Sequence, residues 1–439
     1  MIILFSVILV LVCIFLGMGI PFAFLTGSVA WALLDGSSMG NFVSTSYYSL
    51  DAYSLLALPL FMAAGILLER SGIAKQLVDL AEMLLRRVKG GMGATIPLVS
   101  AFFGALSGSG LACVTAVSNM LGPRLERKGW DRNYLAAMAC AAAPLGYMIP
   151  PNMNAIVFTK VSTASVGALF MATLIPGIIW TALYIIINRF VYTKYYDPSR
   201  AIYDPDEEQD EQVKSTGAYK LRVLRSAIPA FLMPVIILGG IYGGIFTATE
   251  AGGIACLYAL IVGMFVYKGI KTKKEAANVF YETGYSIGTI LMIFPMTLIF
   301  SRLLVMNGVP EMVTEFMLGI SDNRYVILLL LDILLVLAGF FLDCNVLLLV
   351  LTPLLMPTAT AIGVSEIQLA TIVFVAIGIG GMTPPMATQL YIAVRICRAD
   401  LLKTCKAMLP LLVFGALPVL ILVTYVPAIS EWLPSLVVG

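Results

Sequence analysis

The chain has 439 residues, 60% of them hydrophobic and 12% charged, with a net charge of +2 and no histidine. A soluble globular chain carries about 25% charged residues, so this composition excludes an ordinary soluble domain, and the small net charge speaks for no nucleic-acid partner. The missing imidazoles exclude histidine metal sites, histidine proton relays and Ser-His or Cys-His nucleophiles.

Apolar runs recur along the chain at the length of about 17–25 residues that a helix needs to cross a bilayer. Mean hydropathy is +0.96. The first run, 3–34, is expected to be one span and not a cleaved leader: it is too long, lacks a basic start and has no small-residue cleavage site. The seven cysteines form no CxxC pair and read as small hydrophobes.

Basic residues set the topology, because short loops rich in Lys and Arg stay cytoplasmic. Clusters stand at Arg86–Lys89, Arg124–Arg132, Lys268–Lys274 and Arg395–Lys406, with a polar linker at 194–225. The apolar stretch 91–123 has basic clusters at both ends and is too short for two spans. It predicts a re-entrant hairpin turning near Ser107-Gly108-Ser109-Gly110, and such a break survives at membrane depth only where it lines a cavity or is buried in protein. Spans are expected at about 133–160, 166–190, 226–246, 249–267 and 276–304. A second hairpin over 325–357 turns near Asp343-Cys344-Asn345, a broken span follows at 367–394, and the last span runs over 407–428. Glu250, after a Gly-Gly turn, is expected to cap the helix that follows.

The two halves repeat. One carries Gly104 and then Gly146-Tyr147-Met148-Ile149-Pro150-Pro151, the other Gly339 and then Gly380-Gly381-Met382-Thr383-Pro384-Pro385. The first glycine pair is 42 residues apart and the second 41. The charge clusters place the halves in opposite orientations, and inverted repeats with broken helices mark a transporter site near the bilayer midplane. A Pro-Pro pair removes two backbone donors and ends the helix ahead of it. The carbonyls so freed, at a half-helix end of partial negative charge, suit Na⁺. One sodium site is therefore expected at Gly104, Ser107, Gly146, Ile149 and Pro150, and a second at Gly339, Gly380, Thr383 and Met386. Hairpin-tip amides and helix N-termini can hold an anion, and Ser107, Ser109, Asn152, Asn154, Asp343, Asn345, Thr388 and Gln389 are the expected substrate surface. Asp343 is read equally as a cation ligand or a helix cap. Asp332, Arg302 and Lys160 are charged residues whose roles stay open.

These segments resemble a known family. Leu55–Phe61 (LLALPLF), Phe103–Ser109 (FGALSGS), Ile149-Pro150-Pro151, Tyr242–Ala251 (YGGIFTATEA) and Thr383-Pro384-Pro385 look like the large membrane subunit of tripartite ATP-independent periplasmic (TRAP) transporters, in the family's order over about 15–425. Asn152 stands where that family usually has serine. The resemblance implies sodium-coupled import of an organic acid such as a C4-dicarboxylate or a sialic acid into a bacterium across its inner membrane. It also implies a periplasmic substrate-binding protein, a small four-helix membrane subunit and an elevator motion.

The expected fold is thus an all-α polytopic membrane protein with inverted repeats. Its parts are N-terminal scaffold spans and an arm helix (1–90), a first transport repeat (91–165), scaffold spans with the linker (166–275), a span and second arm helix (276–325), a second transport repeat (326–400) and a C-terminal span (401–439). A stand-alone symporter of similar fold is the alternative. A membrane hydrolase is disfavoured because Ser107 has no evident base, and a passive channel because ion cages suit occlusion.

Overall fold

The computed structural model describes residues 1–36, 39–202, 217–384 and 387–436, with only the backbone of Lys273 and Ala276. The described residues are helical almost throughout, and no strand occurs among them.

The chain opens with α1 (Ile2–Phe15) and α2 (Ile20–Asp35). The single span expected over 3–34 is therefore two helices. Gly17, at φ +85°, ends the first, and Gly27 of α2, lacking a Cβ, lies against Val10 and Ser6 of α1. Hydropathy runs unbroken through the turn and conceals it. Then come α3 (Gly40–Leu50), α4 (Ala57–Arg70) and α5 (Ile73–Leu85). Helix α5 is amphipathic: Leu77, Val78, Ala81 and Leu85 are buried while Lys75 and Leu84 face outward.

The first helical hairpin is α6 (Gly91–Ser107) and α7 (Gly110–Arg127). Its turn is where the sequence places it. Gly108 takes φ +63°, a conformation that costs a side chain, and Ser109 caps α7 by accepting from the Ala112 N–H at 3.4 Å. The segment expected at 133–160 is broken into α8 (Arg132–Ala142), the short α9 (Leu145–Met148) and α10 (Met153–Phe158). The interruption, Ile149–Asn152, contains both prolines.

Long helices follow: α11 (Val166–Tyr195), α12 (Gly217–Tyr242), α13 (Ala248–Val266) and α14 (Lys273–Met306). Glu250 caps α13 as expected, in a capping box with Thr247. Thr272 and Glu275 form the same box at α14. There the N–H groups of Lys271 and Thr272 hold the Glu275 carboxyl below the usual glutamate range. That cap is complete at neutral pH and is lost only as the pH falls through the lowered value.

Helix α15 (Val309–Ile320) leads to a second hairpin, α16 (Arg324–Gly339) and α17 (Cys344–Ala361), turning at 340–343. The second broken segment is α18 (Glu366–Met382) and α19 (Thr388–Cys397). Then come α20 (Leu401–Tyr425) and α21 (Ala428–Ser435). Part of the linker, 203–216, lies outside the described residues.

Among the described residues seven helices are long and apolar enough to cross a membrane, and α1, α2, α6 and α18 are shorter apolar helices. Large apolar side chains such as Phe5, Val235, Phe265, Phe316 and Phe414 point outward, as lipid-facing surfaces require. The chain is a multi-pass membrane protein. Its main core joins both hairpins and both broken segments, and a second core packs α1 and α2 on α14 and α17 through Phe24, Phe300, Val346 and Val350.

Candidate ion and substrate site

The glycines paired by sequence spacing are in contact. A Cβ on Gly104 would stand 3.0 Å from the Gly146 Cα and would overlap the Leu145 carbonyl oxygen. In the second half, a Cβ on Gly339 would stand 3.1 Å from the Gly380 Cα, and one on Gly380 would stand 2.5 Å from the Gly339 carbonyl oxygen. In each half the hairpin backbone thus lies directly on the helix that is about to break, and only glycine allows it.

At the first break, Gly146 faces the Ser109 carbonyl and Gly65 of α4 faces the Ser107 Cα. Ser107 is 3% exposed, and its hydroxyl makes only long contacts, 3.4 Å from the Ser109 N–H and 3.5 Å to the Ser109 carbonyl. Among the described residues no donor reaches the carbonyls of Ile149 or Pro150. Gly104 and the hairpin tip at Ser109 are thus packed on Gly146, three residues ahead of these unpaired carbonyls. The Ile149 side chain turns away, against Gly177 of α11, so only its carbonyl is available. The Met153 N–H donates to the Gly108 carbonyl at 3.2 Å, which ties the hairpin tip to α10.

At the second break, the Thr383 hydroxyl donates to the Ile379 carbonyl at 2.7 Å. Its proton is thereby turned into the helix, and the oxygen lone pairs remain for a cation. Gly339, Gly380 and Thr383 belong to one locality. Met386, the fourth residue expected there, lies outside the described residues, as does Pro385.

The substrate surface is reported residue by residue. Asn152 is buried and caps α10, accepting from the Ala155 N–H at 2.6 Å and donating through Nδ2 to Thr173 Oγ1 at 3.2 Å. Both of its functions are internal to the fold. Asn152→Ala should therefore destabilise the protein by about 1–2 kcal/mol, while Asn152→Asp, which keeps the cap, should recover most of that; thermal unfolding in detergent checks both. Asp343 caps the second limb of its hairpin, accepting from the Asn345 N–H at 2.9 Å and from Asn345 Nδ2 at 3.0 Å. Asp343 and Asn345 are paired with each other at the tip. Ser109 is half-buried, and Thr388 is exposed at the start of α19.

Three buried polar atoms near the breaks have no hydrogen-bond partner among the described residues: Asn154 Nδ2, Gln389 Oε1 and the Tyr147 hydroxyl. Asn154 and Gln389 are expected site residues. Tyr147 is not, because an aromatic between Gly146 and Met148 reads as packing. Its signal was the asymmetry of the repeat, since the equivalent position in the second half is Gly381.

The remaining charges lie elsewhere. Arg302 is exposed on α14 and donates to Thr45 of α3 at 3.0 Å. Lys160 is half-buried beyond the end of α10. Asp332 of α16 is 5% exposed and accepts from Thr424 of α20 at 3.0 Å.

Comparison with known proteins identifies the family. Residues 5–429 match the family model described as tripartite ATP-independent periplasmic transporter, DctM component. The chain is 33% identical over 418 residues to the isethionate TRAP transporter permease protein DctMQ of Oleidesulfovibrio alaskensis, covering 94% of this chain and 64% of that one. It thus spans a little under two thirds of that relative. It is 30% identical to the C4-dicarboxylate TRAP transporter large permease protein DctM of Pseudomonas aeruginosa, covering 94% of this chain and 93% of that one. In fold it is similar to the YdaH transporter of Alcanivorax borkumensis, with a TM-score of 0.63 at 16% identity over 90% of this chain and 88% of that one. With a family match across nearly its whole length and full-length relatives at this identity, the chain belongs to the TRAP transporters as a large permease, the DctM component.

Proposed function

We propose that this permease imports an organic acid, a C4-dicarboxylate, a sialic acid or a similar carboxylate, across the bacterial inner membrane together with at least two sodium ions. The observation that carries the reading is the pair of glycine contacts, Gly104 on Gly146 and Gly339 on Gly380. Each presses a hairpin onto a proline-broken helix that carries or faces a hydroxyl, Ser107 or Thr383, and the first such helix ends at the carbonyls of Ile149 and Pro150, which no donor reaches among the described residues. A hard cation takes oxygen ligands, and these are the oxygens available. Sodium also answers the energetics. An organic anion entering against an inside-negative potential costs about 2.3 kcal/mol per charge per 100 mV, and two cations cancel a dicarboxylate's charge.

The two hairpins and the two broken helices move as an elevator against a scaffold of the first helices with α12 and α13. A periplasmic substrate-binding protein delivers the acid, and a small four-helix membrane subunit completes the scaffold.

The test is uptake of radiolabelled organic acids in proteoliposomes holding the chain and its small membrane partner. It is run with and without the binding protein, in a sodium or a potassium gradient. Uptake needing both sodium and the binding protein supports the proposal and identifies the cargo. Sodium-driven uptake without the binding protein makes this a stand-alone symporter. Uptake indifferent to sodium removes both ion sites.

A further inference from the structure

We propose that the cytoplasmic end of this chain carries a second anion site, apart from the helix breaks and built by both halves of the repeat. It takes a phosphate-bearing anion of two or more negative charges.

A cleft of about 790 Å³ opens between the end of α7, the start of α8, the junction of α19 with α20, and the first residues of the linker after α11. Five cations line it, Arg127, Arg132, Arg200, Arg398 and Lys403, against three carboxylates. The segments are fastened to one another. Asn133 of α8 accepts from the Asp400 N–H at 2.8 Å. Arg132 donates to the Arg398 carbonyl at 3.4 Å, a contact between residues 266 apart in the chain. The linker is strapped across the α7–α8 turn: the Ile202 N–H donates to the Arg127 carbonyl at 2.8 Å, and the Asp197 N–H to the Gly129 carbonyl at 3.0 Å.

The carboxylates of the cleft are already engaged. Asp131 accepts from the N–H groups of Asn133 and Tyr134 at the head of α8, and it lies 4.0 Å from Arg200. Asp400 caps α20, accepting from the Lys403 N–H at 2.9 Å. Glu126 pairs with Arg132 at 3.5 Å. Three cations are left over: the side chains of Arg127, Arg398 and Lys403 form no hydrogen bond or ion pair among the described residues. Arg398 holds its place at a cost. It follows α19 at φ +51°, a left-handed conformation that glycine usually supplies at a helix end and that a side chain adopts against steric strain. The rule that short basic loops stay cytoplasmic asks only for cations on this side of the membrane. It does not ask that cations from distant segments line one cleft unpaired, nor for arginine where glycine is easier.

The donors define the ligand. A guanidinium presents a planar fork that matches two oxygens of a phosphate or carboxylate, and an ammonium adds a point charge. Here two free forks and one ammonium come from three elements, the ends of α7 and α19 and the start of α20. A terminal phosphate offers them three oxygens in a tetrahedral array and two negative charges. A carboxylate offers two oxygens in one plane and a single charge, so it occupies one fork and leaves the rest unmatched. Free phosphate compounds and anionic phospholipid headgroups share this chemistry.

The test is thermal unfolding of the purified chain. In detergent it is titrated with pyrophosphate against chloride at matched ionic strength; in nanodiscs, phosphatidylglycerol is added to phosphatidylcholine. A saturable rise of the unfolding midpoint by about 2 °C or more is expected, with pyrophosphate for a free ligand and with phosphatidylglycerol alone for a headgroup. Arg398→Gly accepts the left-handed backbone and removes only the side chain, so without ligand it should fold as well as the unaltered chain. It should raise the ligand concentration for half the shift about tenfold, and so should Lys403→Gln. Lys274→Gln, at the start of α14 and outside the cleft, should leave that concentration unchanged. No shift with either probe, a shift kept in both cleft variants, or an equal shift with succinate would overturn the proposal. The cluster would then be the solvated basic rim that membrane topology alone requires.

Discussion

Gly380→Ala should abolish transport, while Gly253→Ala, where a Cβ meets nothing within 4 Å, should leave it near that of the unaltered chain. The reason is contact between backbones. A Cβ at residue 380 would stand 2.5 Å from the Gly339 carbonyl oxygen and 2.6 Å from its Cα. No flexible side chain is there to yield, so hairpin and broken helix must separate. Overpacking of this kind costs about 1–3 kcal/mol, and the separation displaces the carbonyl proposed to hold an ion. Gly104→Ala should be as severe, because its Cβ would overlap the Leu145 carbonyl oxygen. Gly339→Ala should be milder, with its nearest atom at 3.1 Å. Thermal unfolding midpoints and sodium-driven uptake check that order. Uptake by Gly380→Ala at the level of the unaltered chain would show that the close approach has no part in transport.

The second large effect concerns the hydroxyls. Ser107→Ala and Thr383→Ala should each raise the sodium concentration for half-maximal uptake about tenfold, the worth of roughly 1.4 kcal/mol of ion binding, with little change in expression. Thr383 gives its proton to Ile379 and Ser107 has only long contacts, so neither hydroxyl is committed elsewhere as an acceptor of consequence. Thr383→Ser should restore sodium affinity, because the oxygen and not the methyl is the proposed ligand. Sodium activation unchanged in both alanine variants would remove the two cages and leave the glycine contacts as packing alone.

Much of this was written in local sequence. Hydropathy placed the long helices α11 to α14 and α20, because the cost of burying backbone in lipid is paid segment by segment. Pro150 and Pro151 forced a break whatever surrounded them, since a missing N–H and a fixed φ need no tertiary partner. Gly108 and Ser109 marked a turn for the same local reasons. The matched glycine spacings marked which positions correspond between the halves.

What local pattern could not decide was which groups meet. Residues 3–34 are apolar on both sides of Gly17, so their division into α1 and α2 rests on Gly27 fitting against Val10. Asp343 suited a cation or a cap equally, and the closeness of Asn345 made it a cap. That the Asn152 amide donates to Thr173, 21 residues on, is likewise set by packing. Arg132 and Arg398 stand 266 residues apart, and nothing in either neighbourhood couples them. Propensity and hydropathy act over a turn or a span, whereas a binding site is made where distant segments are pressed together, and only packing of the whole chain brings those side chains to one point.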